Sequence, residues 1–152
     1  MANRRLVLLF DGTWEKPESN TNVERLRRLI APLDALGNVQ LVNYIPGVGV
    51  QRGLSHLLGG AFGDGLSGNV MDGYLGLCQT GLSGDDIYLF GFSRGAYTAR
   101  SLGGLIRKCG LLKRAPDGGV SQADVGDAYD FYRDSASKPG DPLAVAFRAK
   151  HS

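Results

Sequence analysis

The sequence contains little cysteine, little histidine and little net charge. Only two of its 152 residues are cysteine and two are histidine, and 17 basic residues against 15 acidic ones give a formal charge of +2. Cys78 and Cys109 lie in apolar helical patterns without the spacing of metal ligands, so we expect buried packing residues, no disulfide and no metal site. The small net charge does not favour nucleic acid as a partner.

A long apolar run is also lacking. The first apolar segment, Leu6–Phe10, has five residues before Asp11, which is too short for the core of a signal peptide or for a membrane span. We therefore expect no integral membrane segment. We expect a cytoplasmic location in the producing cell, and any export would use a secretion route that does not depend on a signal peptide.

Strand and helix patterns alternate along the first two thirds of the chain. Apolar runs at 5–10, 39–45 and 87–92 predict three strands, and apolar residues at helical spacing predict helices between and after them. The first helix follows the capping-box sequence Thr21-Asn22-Val23-Glu24. Its apolar spacing extends to Leu33, and we expect Pro32 to end or kink it. This alternation predicts an α/β fold with a parallel, doubly wound sheet.

Three strands are few for such a sheet, so we expect it to be incomplete. We expect residues 1–152 to be the N-terminal portion of a single domain whose core spans about 4–112. Residues 113–152 have helical patterns and no fourth strand, and we expect them to begin an inserted or cap region. The uncovered edges of an incomplete sheet predict an oligomer or a partner protein.

Glycine is abundant, and two of the 23 glycines frame a serine. The sequence Gly91-Phe92-Ser93-Arg94-Gly95 follows the third predicted strand and opens a helix. In this setting G-x-S-x-G is typical of a nucleophile elbow, a strained turn that exposes the serine hydroxyl and leaves no room for side chains at the two glycines. Ser93 is therefore the candidate nucleophile. The alternative is that Ser93 only caps the helix, a role that leaves no need for Gly91.

A nucleophilic serine also needs backbone N–H groups that bind the oxyanion. Arg94 follows the serine and supplies one, and the turn Asp11-Gly12-Thr13 after the first strand is placed to supply the other from Gly12 or Thr13. The alternative is an ordinary turn in which Asp11 bonds local backbone. We expect the first and third strands to be neighbours, so that these residues meet at the carboxyl edge of the sheet.

The general base is harder to place. His56 lies in the glycine-rich segment 47–68, which predicts a folded loop around the site, so that His56 and Asp11 are possible rim residues. His151 is the penultimate residue, for which we expect a frayed, solvated tail. Where a nucleophile elbow carries the serine of a catalytic triad, the order along the chain is serine, acid, histidine. No credible histidine follows Ser93, so the acids after it have no assigned role. These acids are Asp117, Asp124, Asp127 and Asp130.

The sequence resembles a bacterial α/β-hydrolase family long catalogued as a domain of unknown function. Four segments carry the resemblance: Leu9–Trp14, Tyr44–Gly49, Gly59–Gly63 and Asp86–Arg100. That family includes phospholipase effectors delivered by type VI secretion. The resemblance implies an α/β-hydrolase sheet and a serine hydrolase of acyl esters, with glycerophospholipids as the best-attested substrates and Ser93 as nucleophile.

In that family the acid and the histidine lie further along a longer chain, beyond a Trp-Asp-Thr-like sequence that is absent here. We therefore expect a truncated hydrolase with weak or no activity. The alternative is a non-catalytic binding or regulatory module that retains the first half of the fold. No nucleotide cofactor is expected, because G-x-x-x-x-G-K-[ST] does not occur and Gly47–Gly53 misses G-x-G-x-x-G by one residue.

Overall fold

The computed structural model of the protein describes residues 4–12, 20–47, 62–116 and 118–152. Over these residues strands and helices alternate as predicted, and two further helices follow. The elements are β1 (Arg5–Phe10), α1 (Asn22–Leu29), β2 (Gln40–Ile45), α2 (Phe62–Thr80), β3 (Asp86–Gly91), α3 (Arg94–Cys109), α4 (Gln122–Arg133) and α5 (Pro142–His151).

Contacts divide the chain into two compact units. Unit 1 comprises Met1–Val70 and Leu82–Arg100, and unit 2 comprises Met71–Gly81 and Ser101–Ser152. The sheet belongs to unit 1. Unit 2 contains the last turns of α2, most of α3, and all of α4 and α5.

The sheet of unit 1 has the strand order β2-β1-β3, and both neighbours run parallel to β1. The central strand is buried along Leu6–Phe10, as a continuous apolar run predicts for a strand that is covered on both faces. Phe10 is in register with Ile45 of β2 and Gly91 of β3. The predicted α/β class and the predicted contact between the first and third strands are therefore confirmed, and the carboxyl ends of the strands share one edge.

Helix α1 packs against one face of this sheet. Val7, Leu9 and Val23 form a buried cluster, against which Leu26, Ile30, Val42 and Tyr44 pack. The hydroxyl of Thr21 caps the helix by accepting a bond from the N–H of Glu24 at 3.1 Å.

The same helix ends before Pro32, as expected, although the apolar spacing continues to Leu33. It ends at Leu29, which is 80% exposed, and Leu33 instead forms an isolated bridge with Val39. Proline disfavours helical geometry at the residue before it, so Pro32 accounts for the early end.

Residues of α2 and α3 form the core of unit 2. Tyr74 and Cys78 of α2, and Leu105 and Cys109 of α3, are buried. The hydroxyl of Tyr74 donates to the carbonyl of Gly110 at 2.8 Å. Both cysteines are free and buried, which confirms their predicted packing role. Burial raises the pKa of each thiol to about 11, so both stay protonated at neutral pH.

Candidate active site

Ser93 lies on the turn that joins β3 to α3. Its φ of 55° is in the left-handed region, which costs a non-glycine residue roughly 1–2 kcal/mol. Three backbone bonds hold the turn: Phe92 N–H donates to the carbonyl of Phe10 at 3.0 Å, Gly95 N–H to that of Phe92 at 2.8 Å, and Ala96 N–H to that of Ser93 at 3.0 Å. Ser93 is exposed. This is the backbone geometry that a nucleophile elbow requires.

The two glycines of the motif occupy positions without space for a side chain. A Cβ atom on Gly91 would overlap the carbonyl group of Gly95. A Cβ atom on Gly95 would overlap the carbonyl of Phe10 and lie 2.6 Å from the carbonyl oxygen of Asp11. Because the obstructing atoms are backbone, they cannot rotate away. A serine that only caps a helix would place no such demand on positions 91 and 95.

Arg94 is the first residue of α3 and is half-buried. The first N–H groups of a helix have no partner within the helix and point out of its N-terminus. An anion that forms beside Ser93 would therefore meet the positive end of the α3 dipole.

Asp11, at the end of β1, has a buried carboxylate that accepts three hydrogen bonds from the described residues. Oδ1 accepts from the N–H of Gly12 at 2.8 Å, and Oδ2 accepts from the hydroxyls of Thr21 at 2.7 Å and Tyr44 at 2.8 Å. The amide of Gly12 therefore donates to Asp11. This is the alternative given above for this turn, in which Asp11 binds the local backbone. Thr13, the other amide named for the oxyanion, lies outside the described residues.

Thr21 and Tyr44 enter the candidate site although the sequence marked them only as a cap and a strand residue. A usable signal was available for Tyr44, because it is a polar aromatic residue near the carboxyl end of the strand beside β1. Burial, together with its bond to Asp11, raises the pKa of Tyr44. Its hydroxyl therefore remains a donor at neutral pH.

A second buried carboxylate lies on α1. Glu24 is fully buried and accepts bonds from Nε of Arg27 at 2.7 Å and from Nε of Arg28 at 2.9 Å. The bonds from these guanidinium groups lower the pKa of Glu24 to about 2. Arg27 also lies 5.8 Å from the ring centroid of Tyr44, which connects this ion pair to the group around Asp11.

Neither candidate histidine belongs to the described part of unit 1, the unit that carries Ser93. His56 lies outside the described residues, with most of the predicted loop 47–68. The remainder of that segment, from Phe62, is the start of α2 rather than loop. The described part of unit 1 contains no histidine.

His151 belongs to unit 2, and the expectation of a frayed tail is wrong. It is the last residue of α5, is half-buried, and its ring lies 4.6 Å from that of Phe147. Its carbonyl accepts the N–H of Lys113 at 2.7 Å. With Asp124 and Asp127 it lines a cleft of about 330 Å³ within unit 2. The carboxylate of Asp124 also caps α4.

Neither a metal centre nor a membrane span is found in the part of the chain that the structure describes. No group of three or more potential metal ligands occurs among these residues. Their helices are all too short or too polar to cross a bilayer.

Comparison with known proteins gives one family and one curated relative. The sequence profile described as "T6SS, Phospholipase effector Tle1-like, catalytic domain" matches residues 4–149. The uncharacterized protein YEL023C of Saccharomyces cerevisiae is 35% identical over an alignment 138 residues long, and the match covers 80% of this chain and 20% of the yeast protein. The chain thus spans about a fifth of the length of that relative. No solved structure matches the chain.

Proposed function

Since the chain belongs to the family of T6SS Tle1-like phospholipase effector catalytic domains, we propose that it carries the nucleophile of a serine hydrolase that cleaves acyl esters of phospholipids. The observation that supports this most directly is the turn at Ser93. It combines a left-handed serine with two glycines that have no room for a side chain. We further propose that the protein is an effector delivered by the secretion system for which the family is named.

In the proposed reaction, Oγ of Ser93 attacks the ester carbonyl carbon and its proton passes to a general base. The carbonyl electrons move onto oxygen, where the amides of Arg94 and Thr13 would stabilise the charge. When the tetrahedral intermediate collapses, the ester bond breaks and the alcohol leaves with the proton. Water then hydrolyses the acyl-serine. The amide of Gly12 could bind the oxyanion only if its hydrogen bond to Asp11 were broken.

We propose that the histidine and acid that activate Ser93 are not among the described residues of unit 1. Loss of the activating groups of a serine triad costs on the order of a million-fold in kcat, although binding of the oxyanion preserves some catalysis. If neither His56 nor His151 supplies the general base, we therefore expect slow turnover. Covalent capture by a reactive probe is then a more sensitive test than substrate hydrolysis, because a single slow reaction per chain accumulates as a detectable product, whereas hydrolysis needs repeated turnover.

The test is labelling with a fluorophosphonate, followed by peptide mass mapping. We expect modification at Ser93, none in Ser93→Ala, and unchanged labelling in Ser121→Ala, a matched control that removes only the cap of α4. Absence of modification at Ser93 under saturating probe would instead favour a non-catalytic binding module.

The substrate class needs a separate measurement. Release of fatty acid from phosphatidylethanolamine and phosphatidylglycerol vesicles should depend on Ser93. It should exceed the release from a soluble short-chain ester at equal ester concentration. A preference for the soluble ester would contradict the phospholipid assignment and leave the serine-hydrolase assignment standing.

We also propose that a second copy of the chain covers β3. This is an outer strand of the described sheet, and its side chains Tyr88 and Phe90 are 41% and 40% exposed. An outer strand with unpaired backbone groups and exposed aromatic residues is prone to pair with another strand.

A further inference from the structure

We propose that Asp11 is a positioning residue for the reaction at Ser93, an inference that rests on the proposed function. Asp11 is only 2% exposed, and a buried carboxylate is costly unless hydrogen bonds compensate for its lost hydration. Donors from the adjoining turn, from α1 and from β2 all meet it. The carboxylate is therefore fixed at the carboxyl edge of the sheet.

The backbone that Asp11 fixes is the surface on which the elbow is built. The carbonyl of Phe10 accepts the N–H of Phe92 at 3.0 Å. Gly95 packs against the carbonyls of both Phe10 and Asp11, with no room for a Cβ atom. A rotation of the peptide groups at Phe10 or Asp11 would move these carbonyls and, with them, the turn that carries Ser93.

The same carboxylate also joins the two described ends of the connection between β1 and α1. Oδ1 binds the amide of Gly12, where the connection leaves the strand, and Oδ2 binds the hydroxyl of Thr21, where α1 begins. Thr21 accepts the N–H of Glu24 while it donates to Asp11, so its orientation is set from both sides. Tyr44 adds a bond from β2.

This arrangement holds the nucleophile through backbone contacts and not through contact with substrate. Misplacement of reacting groups by about 1 Å can cost roughly a hundred-fold in rate. Loss of a donor to Asp11 should therefore slow the chemical step at Ser93 and leave probe binding unchanged. A residue that only stabilises the fold would lower the amount of folded protein, and hence the final extent of labelling, without changing the rate constant of the folded fraction.

The test measures fluorophosphonate labelling of Ser93 against probe concentration, which separates kinact from KI. We expect Asp11→Asn and Tyr44→Phe to lower kinact by about ten-fold or more, since even part of a displacement of about 1 Å at Ser93 gives a loss of this size, with KI unchanged. Thr21→Val removes a donor to Asp11 and should also lower kinact, and Thr21→Ser, which keeps the hydroxyl, should restore most of the loss. Tyr74→Phe is the matched control, because it removes a 2.8 Å tyrosine bond to a carbonyl in unit 2, and it should retain the wild-type rate.

The outcomes separate this inference from the proposed function. If the wild-type chain is labelled at Ser93 and the Asp11 and Tyr44 variants react with the same kinact, the positioning role is overturned and the hydrolase assignment stands. If the wild-type chain is not labelled, both are overturned. Tyr44→Phe decides the question even if Asp11→Asn does not fold, since it keeps the ring and removes only the hydroxyl.

Discussion

Gly95→Ala tests the close approach of α3 to β1 on which the elbow depends. The added Cβ would overlap the carbonyl of Phe10 and come within 2.6 Å of that of Asp11. Overpacking of this kind costs typically about 1–3 kcal/mol. The higher helix propensity of alanine returns at most about 1 kcal/mol. We therefore expect a net loss of about 1 kcal/mol, and at most about 3 kcal/mol, in the free energy of unfolding.

Gly68→Ala is the matched control in the same unit. Gly68 lies inside α2, where a Cβ would meet no atom of the described residues within 4 Å, so the same substitution should stabilise by about 0.5–1 kcal/mol. The two variants should differ by about 2 kcal/mol. With a urea m-value of about 2 kcal/mol per molar, their unfolding midpoints should lie about 1 M apart. If Gly95→Ala is as stable as Gly68→Ala, the reasoning about the elbow fails.

Three further substitutions test the backbone conformation of Ser93, the ion pairs of Glu24 and the pairing of β3 with a second chain. Ser93→Gly relieves the left-handed strain that Ser93→Ala retains, so it should be the more stable of the two by about 1 kcal/mol in urea unfolding; equal stability would argue against the observed φ. Glu24 has its pKa lowered from 4.5 to about 2, so its contribution is complete above pH 4.5 and is lost as the pH falls towards 2. Glu24→Gln should therefore flatten the acid part of the curve of stability against pH, and an unaltered curve would contradict the ion pairs. Phe90→Thr should reduce self-association in light scattering more than Leu29→Thr does, whereas a wild-type chain that is monomeric at high concentration would refute pairing at β3.

The order of strands and helices follows from the sequence because apolar periodicity reflects burial directly. The run Leu6–Phe10 is apolar at every position and becomes the central strand, and the alternation in β3 leaves Tyr88 and Phe90 on its exposed face. The ends of helices can likewise be predicted from single residues. Gly110 ends α3 in the left-handed conformation, as expected for a glycine after a helix.

The candidate site was only partly predictable, because side-chain direction is a tertiary property. Ser93 and its glycines are contiguous and can be recognised as a motif. The carboxylate of Asp11, by contrast, meets hydroxyls from positions 21 and 44, and no local pattern encodes that convergence. The same limit applies to Glu24, which has the spacing of a capping box but turns its carboxylate to Arg27 and Arg28.

The expectation for His151 failed for a related reason. Proximity to the end of the chain suggested fraying, but a terminal residue is ordered when neighbouring side chains hold it. Phe147 stacks with Phe131 at 4.7 Å between centroids, and His151 packs on Phe147. Aromatic residues four positions apart on one helix face were the available signal.

Labelling of the native and the unfolded chain with a fluorophosphonate tests directly whether the turn at Ser93 presents a nucleophile. The native chain and the chain unfolded in urea are exposed to the same probe, and every serine peptide is quantified by mass spectrometry. We predict modification at Ser93 in the native chain that is lost on unfolding, since the turn between β3 and α3 exposes the hydroxyl at the N-terminus of a helix, where a developing anion is stabilised. Equal reactivity of Ser93 in the native and unfolded chains, or none in either, would contradict the claim that this turn presents a nucleophile.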